Sequence, residues 1–267
     1  MQLLSIFEYR FMVNAFIVGT LLAIILPCVG LTVVLKRLSL MGETLSHASL
    51  TGVAIGLFIG IDPLIGSALA CVVAGFGIEF FRTRLKSYQE ISTMIMLATA
   101  IGLTGVFTSF LSNTNSITSY LFGSIVTVSK QEFKLVIIIS LIVMIVYAML
   151  YDRLYLTAFD PFKSDLLGIN RKAVDFIFMI LTAITVAISA KTIGSLIVSS
   201  LLVIPTTCAM QVSKSYKGTL IVSIIFSIIF VHSGLYLSYL FKLKPGAVIV
   251  LLAVITLVVL IHRKTKK

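Results

Sequence analysis

Apolar residues fall along this chain in long runs, not in the alternation of a strand or the one-sided stripe of a soluble helix. Nine runs stand out, at about 12–35, 44–61, 63–81, 91–112, 131–151, 174–190, 194–212, 218–241 and 246–262. Several reach or approach the roughly 20 apolar residues that carry a helix across a bilayer. Turn-forming residues separate neighbouring runs at Asp62-Pro63, Ser112-Asn113-Thr114-Asn115-Ser116 and Lys244-Pro245-Gly246. The pattern predicts an all-α, polytopic integral membrane protein of eight to nine transmembrane helices. The shorter runs suit broken or re-entrant segments. Segments of about ten residues alternating apolar and polar, the mark of a membrane β-barrel, are absent. Gly52, Gly56, Gly60, Gly66, Gly75, Gly77, Gly102, Gly105 and Gly194 lie along the runs. They predict small-residue-rich packing, since close backbone approach replaces the hydrophobic drive in lipid.

Composition agrees. Apolar residues make up 59% of the 267 positions and charged residues 12%, against about 25% charged in a soluble domain. The net charge of +11 does not require nucleic acid, because basic residues gather in the short loops between spans. With the tail Arg263-Lys264-Thr265-Lys266-Lys267 in the cytoplasm, alternation brings Lys36-Arg37, Arg82/Arg84/Lys86, the 152–173 loop and Lys214/Lys217 to the same side. That is fifteen of the 21 basic residues, and it puts the N-terminus outside if all nine runs cross. The first run is too long for the apolar core of a cleavable signal. Cys28, Cys71 and Cys208 all lie in apolar runs at spacings that match no zinc or disulfide framework, so they read as small buried hydrophobes.

Against this background one polar stretch stands out: Gly42-Glu43-Thr44-Leu45-Ser46-His47-Ala48. On a helix, Glu43 and His47 at i and i+4 share a face, with Cβ atoms about 6 Å apart. Carboxylate and imidazole together suit zinc at about 2.0–2.2 Å and also accept manganese, with affinity favouring zinc. Two ligands are too few for a closed structural site, which suits an ion that must be released. A plainer reading makes Glu43 a carboxylate favoured by the start of a helix dipole and His47 a packed polar residue. His232, inside the run 218–241, is the second metal candidate. Tyr236, one turn on, is positioned to hydrogen-bond it, and a satisfied core histidine is its plainer reading. His262 abuts Arg263-Lys264 and reads as interfacial. By alternation His47 enters from the cytoplasmic side and His232 lies nearer the outer half. They share a site only if segment 36–46 dips into the bilayer or the helices are broken.

Segment 152–173 is the longest expected cytoplasmic loop. Asp160 is placed to cap a helix with Pro161 at its first position, and Gly168 to end it. The resulting short helix, about 161–167, carries Phe162, Leu166 and Leu167. These suit either a partner's groove or the headgroup layer.

The chain has no Gly-x-x-x-x-Gly-Lys-Ser/Thr loop, no Gly-x-Gly-x-x-Gly and no His-Glu-x-x-His. An ATP motor would therefore be another chain, and an intramembrane metalloenzyme is disfavoured. Glu43, Glu79, Glu132 and Asp175 lie at or near the ends of runs, where a stand-alone proton-coupled carrier or channel would want deeper acids.

Taken in order, several motifs resemble the permease subunits of bacterial zinc and manganese ABC importers. They are Val29-Gly30-Leu31; Leu35 through Ala48; Leu50-Thr51-Gly52-Val53-Ala54; and Tyr120-Leu121-Phe122-Gly123-Ser124-Ile125. Further along come Phe159-Asp160-Pro161 to Gly168-Ile169; Gly194 through Pro205; Gly234-Leu235-Tyr236-Leu237-Ser238-Tyr239; and Pro245 through Leu251. The resemblance spans nearly the whole chain. It implies one transmembrane permease domain over 1–267, in the bacterial cytoplasmic membrane, working as a homodimer. A cytoplasmic ATP-binding subunit would hydrolyse the ATP, so this chain is not itself an enzyme, and an extracellular metal-binding lipoprotein would deliver the ion. No permanent cofactor is implied, only transported zinc or manganese. His47 matches the family's metal-pathway histidine, while Glu43 stands where the family commonly has Asp. The loop containing Asp160, Pro161, Phe162, Leu166, Leu167 and Gly168 corresponds to the ATPase-coupling region. Leu121-Phe122-Gly123-Ser124-Ile125 and Glu43-Thr44-Leu45-Ser46-His47 resemble the zinc branch more than the manganese branch, with a manganese or iron importer of the same family as the alternative. Importers of iron chelates or cobalamin are usually longer and lack a His/carboxylate pair.

Overall fold

Long helices joined by short turns account for almost all of the structure, a computed structural model that describes residues 10–85, 89–111, 120 and 129–265. Lys86, the turn at 112–116, residues 121–125 and Lys266-Lys267 lie outside the described residues. In chain order the helices among the described residues are α1 (Arg10–Leu35), α2 (Met41–Ile59), α3 (Pro63–Arg84), α4 (Gln89–Ser109), α5 (Lys130–Phe159), α6 (Pro161–Leu166), α7 (Arg171–Ile193), α8 (Ser195–Val212), α9 (Tyr216–Phe241) and α10 (Pro245–Thr265). All nine apolar runs are helical, and among the described residues there is no strand.

Seven of the described helices are long and apolar enough to cross a membrane. The two others among the long helices are α2, diluted by Glu43, His47 and its Gly, Ser and Thr residues, and the shorter α8. Both are wrapped by protein. α2 packs on α3, α4, α7 and α8, while α8 packs on α1, α2, α7, α9 and α10. A helix sheltered from lipid tolerates polar side chains that find partners inside the bundle. Those of α2 do: the Thr44 hydroxyl donates to the Thr93 carbonyl at 3.1 Å, and the Thr51 hydroxyl to that of Ala100 at 2.8 Å, both on α4. Ser49 and Ser67 share a 2.7 Å bond across α2 and α3. Glycines set the closest crossings. A Cβ on Gly52 would lie 2.2 Å from the Gly66 carbonyl oxygen of α3, and one on Gly30 would lie 1.9 Å from that of Leu202 in α8. Cys28, Cys71 and Cys208 are free and buried, as their apolar settings predict.

α5 runs eight residues beyond the expected end of its span. At 30 residues it is about 45 Å long, half as long again as a hydrocarbon core. Asp152 and Arg153 therefore continue a helix instead of opening a loop, because solvated polar residues are no obstacle to helix. A capping box of Ser129 and Glu132 starts α5, and the restriction that Pro161 imposes on the residue before it stops the helix at Phe159. The short helix follows as expected. The Asp160 carboxylate accepts from the Lys163 N–H at 2.9 Å, and Gly168 turns the chain at φ +68°.

Contacts between helix ends mark two faces. On one, Asp175 of α7 pairs with Lys36 after α1 and with Arg82 of α3 (2.8 Å), and Arg82 also holds Glu79 (2.9 Å). Lys264 near the end of α10 donates to Gln211 near the end of α8. On the other face Lys191, near the end of α7, pairs with Glu132 at the start of α5 at 2.8 Å. Burial pulls the Lys36 ammonium below the ordinary lysine range, against the opposing pull of Asp175.

Candidate functional site

Glu43 occupies the first turn of α2. The N-cap, Leu40, offers no side-chain cap, so the positive end of the helix is left to the Glu43 carboxylate. Glu43 is exposed and His47 half-buried, although most of α2 is buried. At 100° per residue the pair lies between the stripe that meets α4 through Thr44 and Thr51 and the stripe that meets α8 through Gly42. The face opens away from α3. Among the described residues no other side chain engages the Glu43 carboxylate or the His47 imidazole. The Ser46 hydroxyl beside them is buried and likewise has no described partner.

Further along the same face, Leu50 and Ala54 are buried beneath Phe107, Leu111 and Tyr120. This apolar cap lies towards the end of α2 away from Glu43. Burial pushes the Tyr120 phenol above the ordinary tyrosine range, against the pull of Lys191.

Gly42 packs against Ser199, with an ideal Cβ 3.4 Å from the Ser199 Cα. Ser199 lies four residues into α8 and about 20 Å from the Val212 end, at 1.5 Å per residue. The first turn of α2 is thus seated against α8, while Lys36 and Arg37 before it stay at the charged face. His232 lies about 24 Å along α9 from Tyr216, measured from the same face, since only three residues join α8 to α9. His232 meets Thr20, fifteen residues before the Leu35 end of α1, whereas Thr44, next to Glu43, bonds to Thr93 only four residues into α4, so Glu43 lies nearer the Lys36 face than His232 does.

They are also separated laterally. His232 faces α1. Its Nε2 lies 3.3 Å from the Thr20 hydroxyl, its Nδ1 2.9 Å from the Ile228 carbonyl, and its ring 5.4 Å from that of Phe16. The expected hydrogen bond to Tyr236 is not formed. Helical Cβ atoms lean towards the N-terminus, which turns the imidazole back to Ile228. α8 packs against both α2 and α9, and among the described residues no three of His, Cys, Asp and Glu are grouped to hold a metal ion. The structure brings Glu43 and His47 together and leaves His232 in a separate, hydrogen-bonded setting.

Three features were not assigned from sequence: the Thr20 partner of His232, the Tyr120 cap, and the Lys36–Asp175–Arg82–Glu79 cluster. The last had a signal, acids and bases at the ends of apolar runs, but its members are up to 139 positions apart. On α6 and its C-cap, Phe162, Leu166 and Leu167 are 74%, 73% and 59% exposed, an apolar surface on a helix of six residues.

Comparison with known proteins covers nearly the whole chain. Residues 8–264 match the model of the ABC 3 transport family. A "Probable metal transport system membrane protein" of Treponema pallidum is 33% identical over 95% of this chain and 96% of its own. The "Manganese transport system membrane protein MntC" of Listeria monocytogenes is 29% identical over 94% and 90%. The "High-affinity zinc uptake system membrane protein ZnuB" of Haemophilus influenzae is 27% identical over 97% and 99%. The solved structure "PsaBC from Streptococcus pneumoniae in complex with Fab" superposes with a TM-score of 0.84 at 22% identity, covering 96% of this chain and 92% of that one. It shares the fold.

Proposed function

The chain belongs to the ABC 3 transport family and is a metal-transport permease of the membrane; from that premise we propose that it carries zinc inward past Glu43 and His47. The observation that carries this reading is the pair itself. An exposed carboxylate and a half-buried imidazole share one helix face with no described partner. Ionisable groups among membrane spans are costly to keep and mark ion pathways, so an unpartnered pair there points to a function.

Two ligands hold an ion loosely. A second copy of the chain brought up to the open α2 face would offer a second Glu43–His47 pair and shield both from lipid, which supports a homodimer with the pathway between copies. The Leu50–Ala54 face beneath Phe107, Leu111 and Tyr120 would then close the path on the outer side, and the ion would leave past Glu43. The energy comes from a separate ATP-binding subunit seated on α6, whose apolar side chains face outward. An extracellular metal-binding lipoprotein delivers the ion.

Manganese is the second reading, favoured by the 29% identical Listeria relative named for it. Imidazole with carboxylate favours zinc. Uptake of each metal by a strain lacking the gene, complemented with the wild-type chain or with Glu43→Ala/His47→Ala, tests both points. Zinc uptake restored by the wild type and lost in the variant supports the proposal. Full rescue by the variant removes the site, and restoration of manganese uptake alone transfers it to the second reading.

A further inference from the structure

A cavity of about 530 Å³ opens between the ends of α1, α3 and α5 and the start of α7, on the face marked by the Asp175 ion pairs. Seven charged residues line it: Lys36, Arg37, Arg82, Arg171 and Lys172 against Glu79 and Asp175. The two acids are used within the protein, Asp175 on Lys36 and Arg82, and Glu79 on Arg82. Arg171 reaches out to Asp165 at 2.7 Å. Arg37 and Lys172 remain as exposed cations over an excess of positive charge. Arg37 is held at φ +56°, a left-handed conformation uncommon outside glycine, so the backbone departs from its easy geometry at the residue facing the cavity.

The floor and the flank differ in character. Lys36 and Arg82 are recessed, with side chains 8% and 15% exposed. Beside the cavity, Phe80 and Phe176 directly adjoin Glu79 and Asp175 in sequence, and Phe176 packs on Phe76 with ring centroids 5.2 Å apart. All three rings are exposed, on the outward sides of α3 and α7. The Glu43–His47 face opens away from α3, so this cavity lies off the metal path, and its positive lining would repel a divalent cation. A basic seat at the cytoplasmic membrane surface above an exposed aromatic flank fits one ligand chemistry, a phosphate-bearing headgroup whose acyl chains run along the rings.

We propose that this cavity binds the headgroup of an anionic phospholipid of the inner leaflet, with Arg37 and Lys172 as its principal contacts. The lipid would stabilise the junction of α1, α3 and α7 whatever metal the permease carries.

The test uses the permease with its ATP-binding subunit, extracted gently from membranes and stripped of loosely held lipid by repeated detergent exchange. Native mass spectrometry then counts retained phosphatidylglycerol and cardiolipin. Wild type should retain anionic lipid, Arg37→Ala/Lys172→Ala at least fivefold less, and Arg37→Lys/Lys172→Arg close to the wild-type amount. Equal retention in wild type and the alanine variant overturns the proposal. So does loss of the ATP-binding subunit from the alanine variant with lipid retention unchanged, which would make the cavity a protein-docking surface. In phosphatidylcholine nanodiscs, protection of the cavity from chemical modification of Lys172 by inorganic phosphate as effectively as by added phosphatidylglycerol would also overturn it, by reassigning the site to free phosphate.

Discussion

Replacing Gly52 with alanine probes the crossing that positions α2, and its cost can be worked from the geometry. The added methyl would lie 2.2 Å from the Gly66 carbonyl oxygen and 2.6 Å from the Gly66 carbonyl carbon. Both obstacles are backbone, so no side-chain rotation relieves them. Restoring a 3.0 Å contact requires the two helices to part by about 0.8 Å. Overpacking costs about 1–3 kcal/mol; two backbone obstacles put this crossing in the upper part, about 2–3 kcal/mol, and the better helix propensity of alanine returns about 1 kcal/mol. The net loss is about 1–2 kcal/mol, a drop of about 2–8 °C in the unfolding midpoint for a chain of this size. Gly102 and Gly105 on α4 provide the control, because a Cβ at either meets nothing within 4 Å. There alanine should leave the midpoint unchanged or raise it by up to about 4 °C. Thermal unfolding of the detergent-purified protein, followed by intrinsic tyrosine fluorescence, reads all three. Equal midpoints for Gly52→Ala and wild type, or a comparable drop for Gly102→Ala and Gly105→Ala, would refute the assignment of the α2–α3 crossing to close backbone contact.

Other perturbations separate the remaining parts of the account. Asp175→Asn leaves Lys36 and Arg82 with a weaker partner in a recessed setting, and should cost about 2 kcal/mol or more in the same unfolding assay; a change below 0.5 kcal/mol, on the order of a neutral surface substitution, would contradict the ion-pair reading. Phe162→Glu/Leu166→Glu alters side chains that touch little in the isolated chain. Folding should be unaffected while co-purification of the ATP-binding subunit falls at least tenfold, and undiminished co-purification would detach α6 from coupling. His232→Ala removes the bonds to Thr20 and Ile228 but no ligand from the α2 face. Metal uptake should fall less than threefold, against at least tenfold for His47→Ala, and equal losses would join His232 to the same pathway.

The spans were legible because burial in lipid and burial in protein demand the same thing of a helix surface, so all nine apolar runs became helices near their expected bounds. The short helix at Pro161 was equally legible, since Asp160, Pro161 and Gly168 act through local geometry. α5 ran past its expected end because hydropathy registers where the bilayer stops, not where the helix does. The packing of the first turn of α2 was hidden for a different reason. Lys36-Arg37 places the turn after α1 near the charged face, but the contact of Gly42 with Ser199, which seats the start of α2 against α8, joins positions 157 apart. The Thr20 partner of His232 lies 212 positions away, and periodicity within one helix carries no information about such pairings. The Glu43–His47 pair itself was readable because it obeys the i,i+4 rule, and Gly42 beside it explains how a polar turn fits against α8.

Passage of the metal ion along the Glu43–His47 face can be read by transport itself. The most direct measurement is ATP-driven uptake into proteoliposomes containing this chain, its ATP-binding subunit and its binding protein, with zinc and manganese each supplied alone. Zinc accumulation should require ATP, fall at least tenfold in Glu43→Ala or His47→Ala, and be largely retained in Glu43→Asp. Undiminished zinc uptake by Glu43→Ala/His47→Ala in an assembled, ATP-hydrolysing complex would contradict passage along this face.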